Sequence, residues 1–236
     1  MVRLENLCKT FVMSGRRKQI ADCLNATFPT GASVALIGQN GAGKSSLLRI
    51  IAGTMNPTSG RVHSTGSISW PVGFAGSFHP DLTGVQNVRF LARIYGVDTD
   101  SLVEFVEDFA DVGEHFYLPI RTYSSGMRSR LAFGASMGMK FDTYLVDEVT
   151  AVGDADFKRK SDVVLRERLA ESGAVIATHS MGLVRSLCDL AAVLHKGKLV
   201  LYDDVEEAIE AYGRIGGDTE AEEPRKRAPA LATADD

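Results

Sequence analysis

The stretch Gly38-Gln39-Asn40-Gly41-Ala42-Gly43-Lys44-Ser45 constrains this chain more than any other. It fits the pattern of a glycine, four free positions, then Gly-Lys-Ser or Gly-Lys-Thr, which builds a phosphate-binding loop. The flanks agree with that reading. Val34-Ala35-Leu36-Ile37 is an apolar run suited to a buried strand, and Ser46 to Ala52 has the make-up of the helix that should come next. A strand, a glycine-rich turn and a helix N-terminus together make an anion site, because backbone N–H groups and the helix dipole converge there. Gly38, Gly41 and Gly43 belong to the turn with Asn40, and the lack of a Cβ at Gly41 and Gly43 lets the backbone approach phosphate oxygens. Lys44 would reach the β- and γ-phosphates, the Ser45 hydroxyl would ligate Mg²⁺, and Ser46 opens the helix.

The rest of the chain alternates strands and helices. Strands are expected at 2–7, 19–28 and 33–37, with a turn at Ser14-Gly15-Arg16, then a helix at about 44–53 and short strands near 61–63 and 67–70. Residues 84–140 have helical apolar spacing, as in Val88, Leu91-Ala92 and Tyr95. Beyond them come strands at 144–146 and 174–177, each leading into a helix, then strands at 191–195 and 198–202 and a helix at about 204–213. This order predicts an α/β fold with a parallel sheet covered on both faces and an inserted helical subdomain. Residues 216–236, charged and containing Ala and Pro, are expected to form a disordered tail. A net charge of −4 gives no basic signal for nucleic acid. Cys8, Cys23 and Cys188 are odd in number and far apart, which fits a reducing compartment and argues against a zinc site or disulfide framework. The N-terminus does not read as a signal peptide, and no apolar stretch approaches the roughly 20 residues that span a bilayer. A membrane role would therefore run through a partner.

Four further features carry chemistry. Tyr144-Leu145-Val146 ends in Asp147 and Glu148; the first suits Mg²⁺, and the second could polarise a water. Tyr123-Ser124-Ser125-Gly126-Met127-Arg128 offers Ser124 as a helix cap that also presents N–H groups to an anion. His179 closes the apolar strand Ile176-Ala177, where it could meet a γ-phosphate. Ala151-Val152-Gly153-Asp154 comes just after the acidic pair. Taken singly, these could be a solvated strand end, an ordinary cap, a structural histidine and a turn.

Taken in order, the motifs resemble the nucleotide-binding domain of ATP-binding cassette transporters. Residues 38–45 resemble Walker A, 143–148 Walker B, Ser124 to Met127 the signature, Ala151 to Asp154 the D-loop, and His179 the switch histidine. The resemblance implies a P-loop NTPase (RecA-like) core with an antiparallel β subdomain and an inserted α-helical subdomain at about 84–140, the whole domain covering 1–215. It implies ATP and Mg²⁺, the metal held by Ser45 and Asp147, with Glu148 as general base and His179 sensing the γ-phosphate. It implies a head-to-tail homodimer in which Ser124, Ser125, Gly126 and Asp154 act at the interface nucleotide, and Phe11 stacks on adenine. The sequence departs from the family at Ser125 and Met127, and no Gln stands in the segment from Trp70 to Gly84 where the family has one; Gln86 comes too late.

Ile68-Ser69-Trp70-Pro71-Val72-Gly73, Leu82-Thr83-Gly84 and the run from Tyr123 to Phe133 are similar to ATPases of bacterial polysaccharide exporters, above all the capsular group of Gram-negative bacteria. That resemblance implies an ATP hydrolase on the cytoplasmic face of the inner membrane, powering polysaccharide export through a separate permease that docks on the helical block. Two rivals are a nucleotide switch with little turnover and a soluble cassette ATPase that is not a transporter. Gly134-Ala135-Ser136-Met137-Gly138 fits the hydrolase nucleophile elbow in form, but falls within a predicted helix instead of a strand-to-helix turn.

Overall fold

The computed structural model describes residues 1–220 apart from 75, 77 and 149–153, with the backbone alone for 13 and 216–220. Two sheets organise them. The smaller has the order β2-β1-β4 and is antiparallel, from β1 (Val2–Met13), β2 (Arg16–Phe28) and β4 (Ser59–Ser64). The larger has the order β5-β6-β7-β3-β8-β9. Its strands are β3 (Ser33–Ile37), β5 (Ile68–Pro71), β6 (Thr143–Asp147), β7 (Gly173–Ala177), β8 (Leu190–His195) and β9 (Lys198–Tyr202). All neighbours pair parallel except β8 and β9. Every residue of β3 and β7 is buried, as expected of central parallel strands covered on both faces.

Helices α1 (Lys44–Ile51), α5 (Ala155–Glu171), α6 (Met181–Leu187) and α7 (Val205–Glu220) accompany the sheet. The inserted block contains α2 (Gly84–Tyr95), α3 (Thr99–Ala110) and α4 (Ser125–Gly138). Their starts are set by side chains that take an orphan N–H of the first turn. Thr83 and Gln86 form a reciprocal capping box on α2; Asp98, Ser124 and Asp154 cap α3, α4 and α5. Gln86 is thereby committed to the helix start: its Oε1 accepts from the Thr83 N–H at 2.9 Å. α4 joins the block to the sheet, since Leu131 to Met137 is an unbroken buried run. One core cluster spans α2, α3, α4 and the β6–β7 face, including Val106, Phe109, Leu131 and Tyr144. A second lies between the small sheet, α1 and the opposite face.

Three sequence expectations change. β1 continues to Met13 instead of ending near residue 7, because register shifts between Leu4 and Thr10 absorb the loss of alternation. Phe11 is therefore a strand residue opposite Lys18. The final helix runs to Glu220, past residue 213. Its apolar stripe of Val205, Ala208, Ile209, Tyr212 and Ile215 packs on the β8 side of the sheet and carries the helix into residues expected to be tail. Residues 221–236 of that expected tail lie outside the described residues. Third, β9 runs antiparallel on the sheet's edge. Ser136 is inside α4, fully buried, its hydroxyl donating to Ala132 O at 2.9 Å, which removes the elbow reading.

Candidate functional site

The site is built by strand register. In the order β6-β7-β3, Asp147 pairs with Ala177 and Ala177 with Leu36. The three strands thus end in one row, and the loops leaving them meet at the carboxyl edge of the sheet, where α/β folds place their ligands. After β3 comes the phosphate loop, after β6 Glu148, and after β7 Thr178 and His179.

The glycines of the loop answer to their protein neighbours. Gly43 has φ +111°, and a Cβ there would lie 2.8 Å from the Ile20 Cβ. Gly41 has φ +77°. A Cβ on Gly38 would sit 2.5 Å from the Leu194 carbonyl oxygen, so that glycine allows the loop to leave the sheet beside β8.

Lys44 opens α1 and is 7% exposed. Its Nζ donates to the loop carbonyls of Gly38 at 2.6 Å and Gln39 at 3.3 Å. Among the described residues no carboxylate forms an ion pair with it. A buried cation held only by carbonyl dipoles is costly unless an anion completes its surroundings. The Ser45 hydroxyl donates to Asp147 Oδ1 at 2.9 Å, across 102 residues of sequence. A hydroxyl and a carboxylate this close are the oxygen donors a hard cation such as Mg²⁺ takes. The residues present therefore fit a magnesium nucleotide.

Glu148 leaves β6 with φ +41°, its N–H donating to Ala177 O at 2.8 Å. That turn carries its carboxylate to His179, whose Nδ1 lies 3.1 Å from Oε1. A cavity of about 450 Å³ gathers most of these parts, but neither Gly38 nor His179 lines it. Phe11, Asn40, Gly41, Gly43, Lys44, Ser45, Ser46, Asp147 and Glu148 line it, with Lys18 and Ile20. The last two are missed by sequence reasoning: they belong to no motif, and only the pairing of β2 with β1 brings them over the loop. The Lys9 ammonium lies 5.0 Å from the Phe11 ring centroid.

Ser124, Ser125 and Gly126 are not among the lining residues; they sit at the start of α4, where Ser124 Oγ accepts from the Met127 N–H at 3.2 Å. Asp154 caps α5 through the Phe157 N–H at 2.9 Å, and its other oxygen takes Arg130 of α4 at 2.6 Å. The Phe157 N–H first, and then Arg130, hold its carboxyl below the usual carboxylate range. Arg130 also lies over the Phe157 ring at 4.8 Å. Residues 151–153 of the expected D-loop lie outside the described residues.

Comparison with known proteins agrees with this geometry. Residues 21–151 match the ABC transporter family. The polysialic acid transport ATP-binding protein KpsT of Escherichia coli is 47% identical over 215 residues, covering 90% of this chain and 96% of that protein. The capsule polysaccharide export ATP-binding protein CtrD of Neisseria meningitidis serogroup B is 39% identical over 215 residues, covering 91% and 100%. A solved structure of the cassette MJ0796, a dimer in a post-hydrolysis state bound to ADP and Pi, is similar with a TM-score of 0.72 at 22% identity. The match covers 86% of this chain and 99% of that one. No described helix is long and apolar enough to cross a membrane. With its phosphate loop, its paired strand ends and relatives this similar over almost their whole length, the chain belongs to the ATP-binding cassette (ABC) transporter family, as an ATP-binding subunit.

Proposed function

We propose that the chain hydrolyses ATP to drive export of a capsular or related cell-surface polysaccharide through a separate membrane permease, from the cytoplasmic face of the inner membrane. The observation that carries the ATPase reading is the buried Lys44 ammonium, which faces loop carbonyls and, among the described residues, pairs with no carboxylate, beside the Ser45–Asp147 pair. The polysaccharide reading is supported by relatives whose names describe polysialic acid and capsule transport.

In this reading residues 1–215 are the nucleotide-binding domain, with the helical subdomain at about 84–140 inserted in it. Phe11 stacks on adenine with the ring face that Lys9 leaves open. Gly38, Asn40, Gly41, Gly43 and Ser46 surround the phosphates, and Lys44 turns from the loop carbonyls toward them. Ser45 and Asp147 hold Mg²⁺, which when bound neutralises charge on the phosphate oxygens. Glu148 takes the proton of the attacking water at its carboxylate, and His179 positions that carboxylate through its ring nitrogen. Two copies close head to tail, so that Ser124, Ser125 and Gly126 of one meet the nucleotide of the other. The Asp154–Arg130 pair ties the signature helix α4 to the start of α5. The helical block docks the permease, and no nucleic acid takes part.

The test is steady-state ATPase activity of the complex with its permease in vesicles. Glu148→Gln should lower turnover by about 10²–10⁴, the usual weight of a general base, while ATP still binds. Near-normal turnover in that variant removes Glu148 from the role. A wild-type complex that binds ATP without turnover makes the chain a switch instead of a motor. ATP-dependent movement of capsule-type polysaccharide into the vesicles tests the cargo, and turnover without such movement refutes the polysaccharide assignment alone.

A further inference from the structure

Away from the sheet edge, the small sheet holds a feature the ATPase reading does not use. Cys8 on β1 and Cys23 on β2 face each other with their Sγ atoms 3.2 Å apart, and the Cys23 N–H donates to Cys8 Sγ at 3.1 Å. Cys23 is exposed and Cys8 partly so. The backbone here is set apart from regular pairing. Register shifts flank Leu7 and Lys9, Cys23 has φ +51°, and Asn6 has φ +46°. Asn6 and Asn25 brace the bulge, the Asn6 N–H and Asn25 Nδ2 each donating to the other's Oδ1 at 3.0 Å. The Asn25 amide also donates to Cys23 O at 3.1 Å. The irregularity thus brings two thiols together and keeps them there.

We infer that Cys8 and Cys23 are a reversible thiol–disulfide modification site on the two strands that carry Phe11 and Ile20 to the nucleotide cavity, oxidised by a small-molecule disulfide of the glutathione class. A disulfide needs its sulfurs about 2.05 Å apart, so closure moves them by roughly 1.2 Å. Cys8 attacks first, because a hydrogen bond from Ser59 and then one from Cys23 lower its pKa, while Cys23 is raised by its neighbour. The Cys8 thiolate forms a bond to one sulfur of the small disulfide and expels the other as a thiolate. The Cys23 thiolate then attacks Cys8 Sγ and expels the second small thiolate. Two protein thiols lose two electrons, the small disulfide gains them, and the two released thiolates carry away the two protons.

The consequence runs along the strands. Phe11 is three residues beyond Cys8 on β1, and Ile20 three before Cys23 on β2; both line the cavity. Ile20 is already packed against Gly43 with no room for an added carbon. Drawing β1 and β2 together at the bulge presses on that contact and weakens ATP binding in the oxidised form.

Intact mass spectrometry of the reduced full chain, titrated with glutathione disulfide, tests the site. The expected product is a monomer lighter by two hydrogens, restored by dithiothreitol, with Cys188 still a thiol; burial pushes that thiol's pKa up to about 12 and keeps it inert. Cys8→Ser and Cys23→Ser should each gain one glutathionyl group in place of the remaining thiol's hydrogen and form no internal disulfide. A Cys188→Ser variant should behave as the wild type. Stable double glutathionylation, disulfide-linked chain dimers, or no reaction where a reference dithiol is oxidised would overturn the site. Dissociation constants for ATP on the two forms test the coupling: a rise of about fivefold or more on oxidation is expected, and equal constants overturn it. Because the mass readout needs no ATPase activity, it stands or falls apart from the transport reading.

Discussion

Replacing Gly43 by Ala isolates the demand that the fold makes on the phosphate loop. Two costs add at this position. The backbone has φ +111°, outside what L side chains adopt, and such strain costs about 1–3 kcal/mol. The new Cβ would also lie 2.8 Å from the Ile20 Cβ, an atom fixed to the β2 backbone, so the strand must shift. Overpacking of that kind costs about 1–3 kcal/mol more. The sum is roughly 2–6 kcal/mol. With a urea slope near 3 kcal/mol/M, at the upper end for small proteins, the unfolding midpoint should fall by about 0.7–2 M. Gly53→Ala is the control, because Gly53 has φ +72° but open space where a Cβ would go. It should lose only about 1–2 kcal/mol, the left-handed strain alone. ATP at a hundredfold excess over its Kd should add about 2.7 kcal/mol to the Gly53 variant and less to the Gly43 variant, whose loop has moved. Equal midpoints for the two variants would refute the argument that β2 and the loop are packed without slack.

Gly126→Ala points the added methyl into open space, with Ser124 Oγ the nearest atom at 3.9 Å. It should leave stability and ATP binding unchanged yet cut turnover of the permease complex by about 10²-fold, the scale of losing a transition-state donor; unaffected turnover would remove the signature from the partner's nucleotide. Lys18→Met should raise the Kd for ATP by about two- to fivefold, as expected of an exposed charge, and the effect should fade in high salt. An equal effect on adenosine would show that Lys18 does not address phosphates. Asp142 accepts from the Ser67 N–H and hydroxyl, both at 2.7 Å, and these bonds hold its carboxyl below the usual range. Its stabilising effect is therefore complete above the unfolded value of about 3.9 and is lost as pH falls through the lower folded value. Urea midpoints of the wild type and Asp142→Asn should differ at pH 6 and converge as pH drops below about 4; a gap that does not change with pH refutes the linkage.

The carboxyl edge of the sheet was legible because its chemistry sits in contiguous runs. The loop with Lys44 and Ser45, the pair Asp147-Glu148, and His179 each end an apolar strand, and parallel pairing of those strands can only bring their ends together. Lys18 and Ile20 were not legible, since they reach the cavity through a cross-strand contact that leaves no local pattern. The length of β1 was hidden for a related reason: its bulges break the two-residue alternation that marks a strand. The final helix was cut short because Gly216-Gly217 reads as a stop, whereas the stripe ending in Ile215 keeps its packing on β8. The pairing of Cys8 with Cys23 was invisible at a spacing of fifteen residues, because a bulge and not a motif aligns them.

The common row in which β6, β7 and β3 end has a consequence for how this protein can fail. Alternate residues of these strands pack into different core clusters, so sliding by one position would send every side chain into the wrong one. The hydrophobic interior therefore serves as the gauge that spaces Ser45 from Asp147 and Glu148 from His179. Conservative trimming of Leu36, Val146 or Ile176 (far from any reacting atom) should surface first as lost turnover, in protein that still folds and still holds its nucleotide.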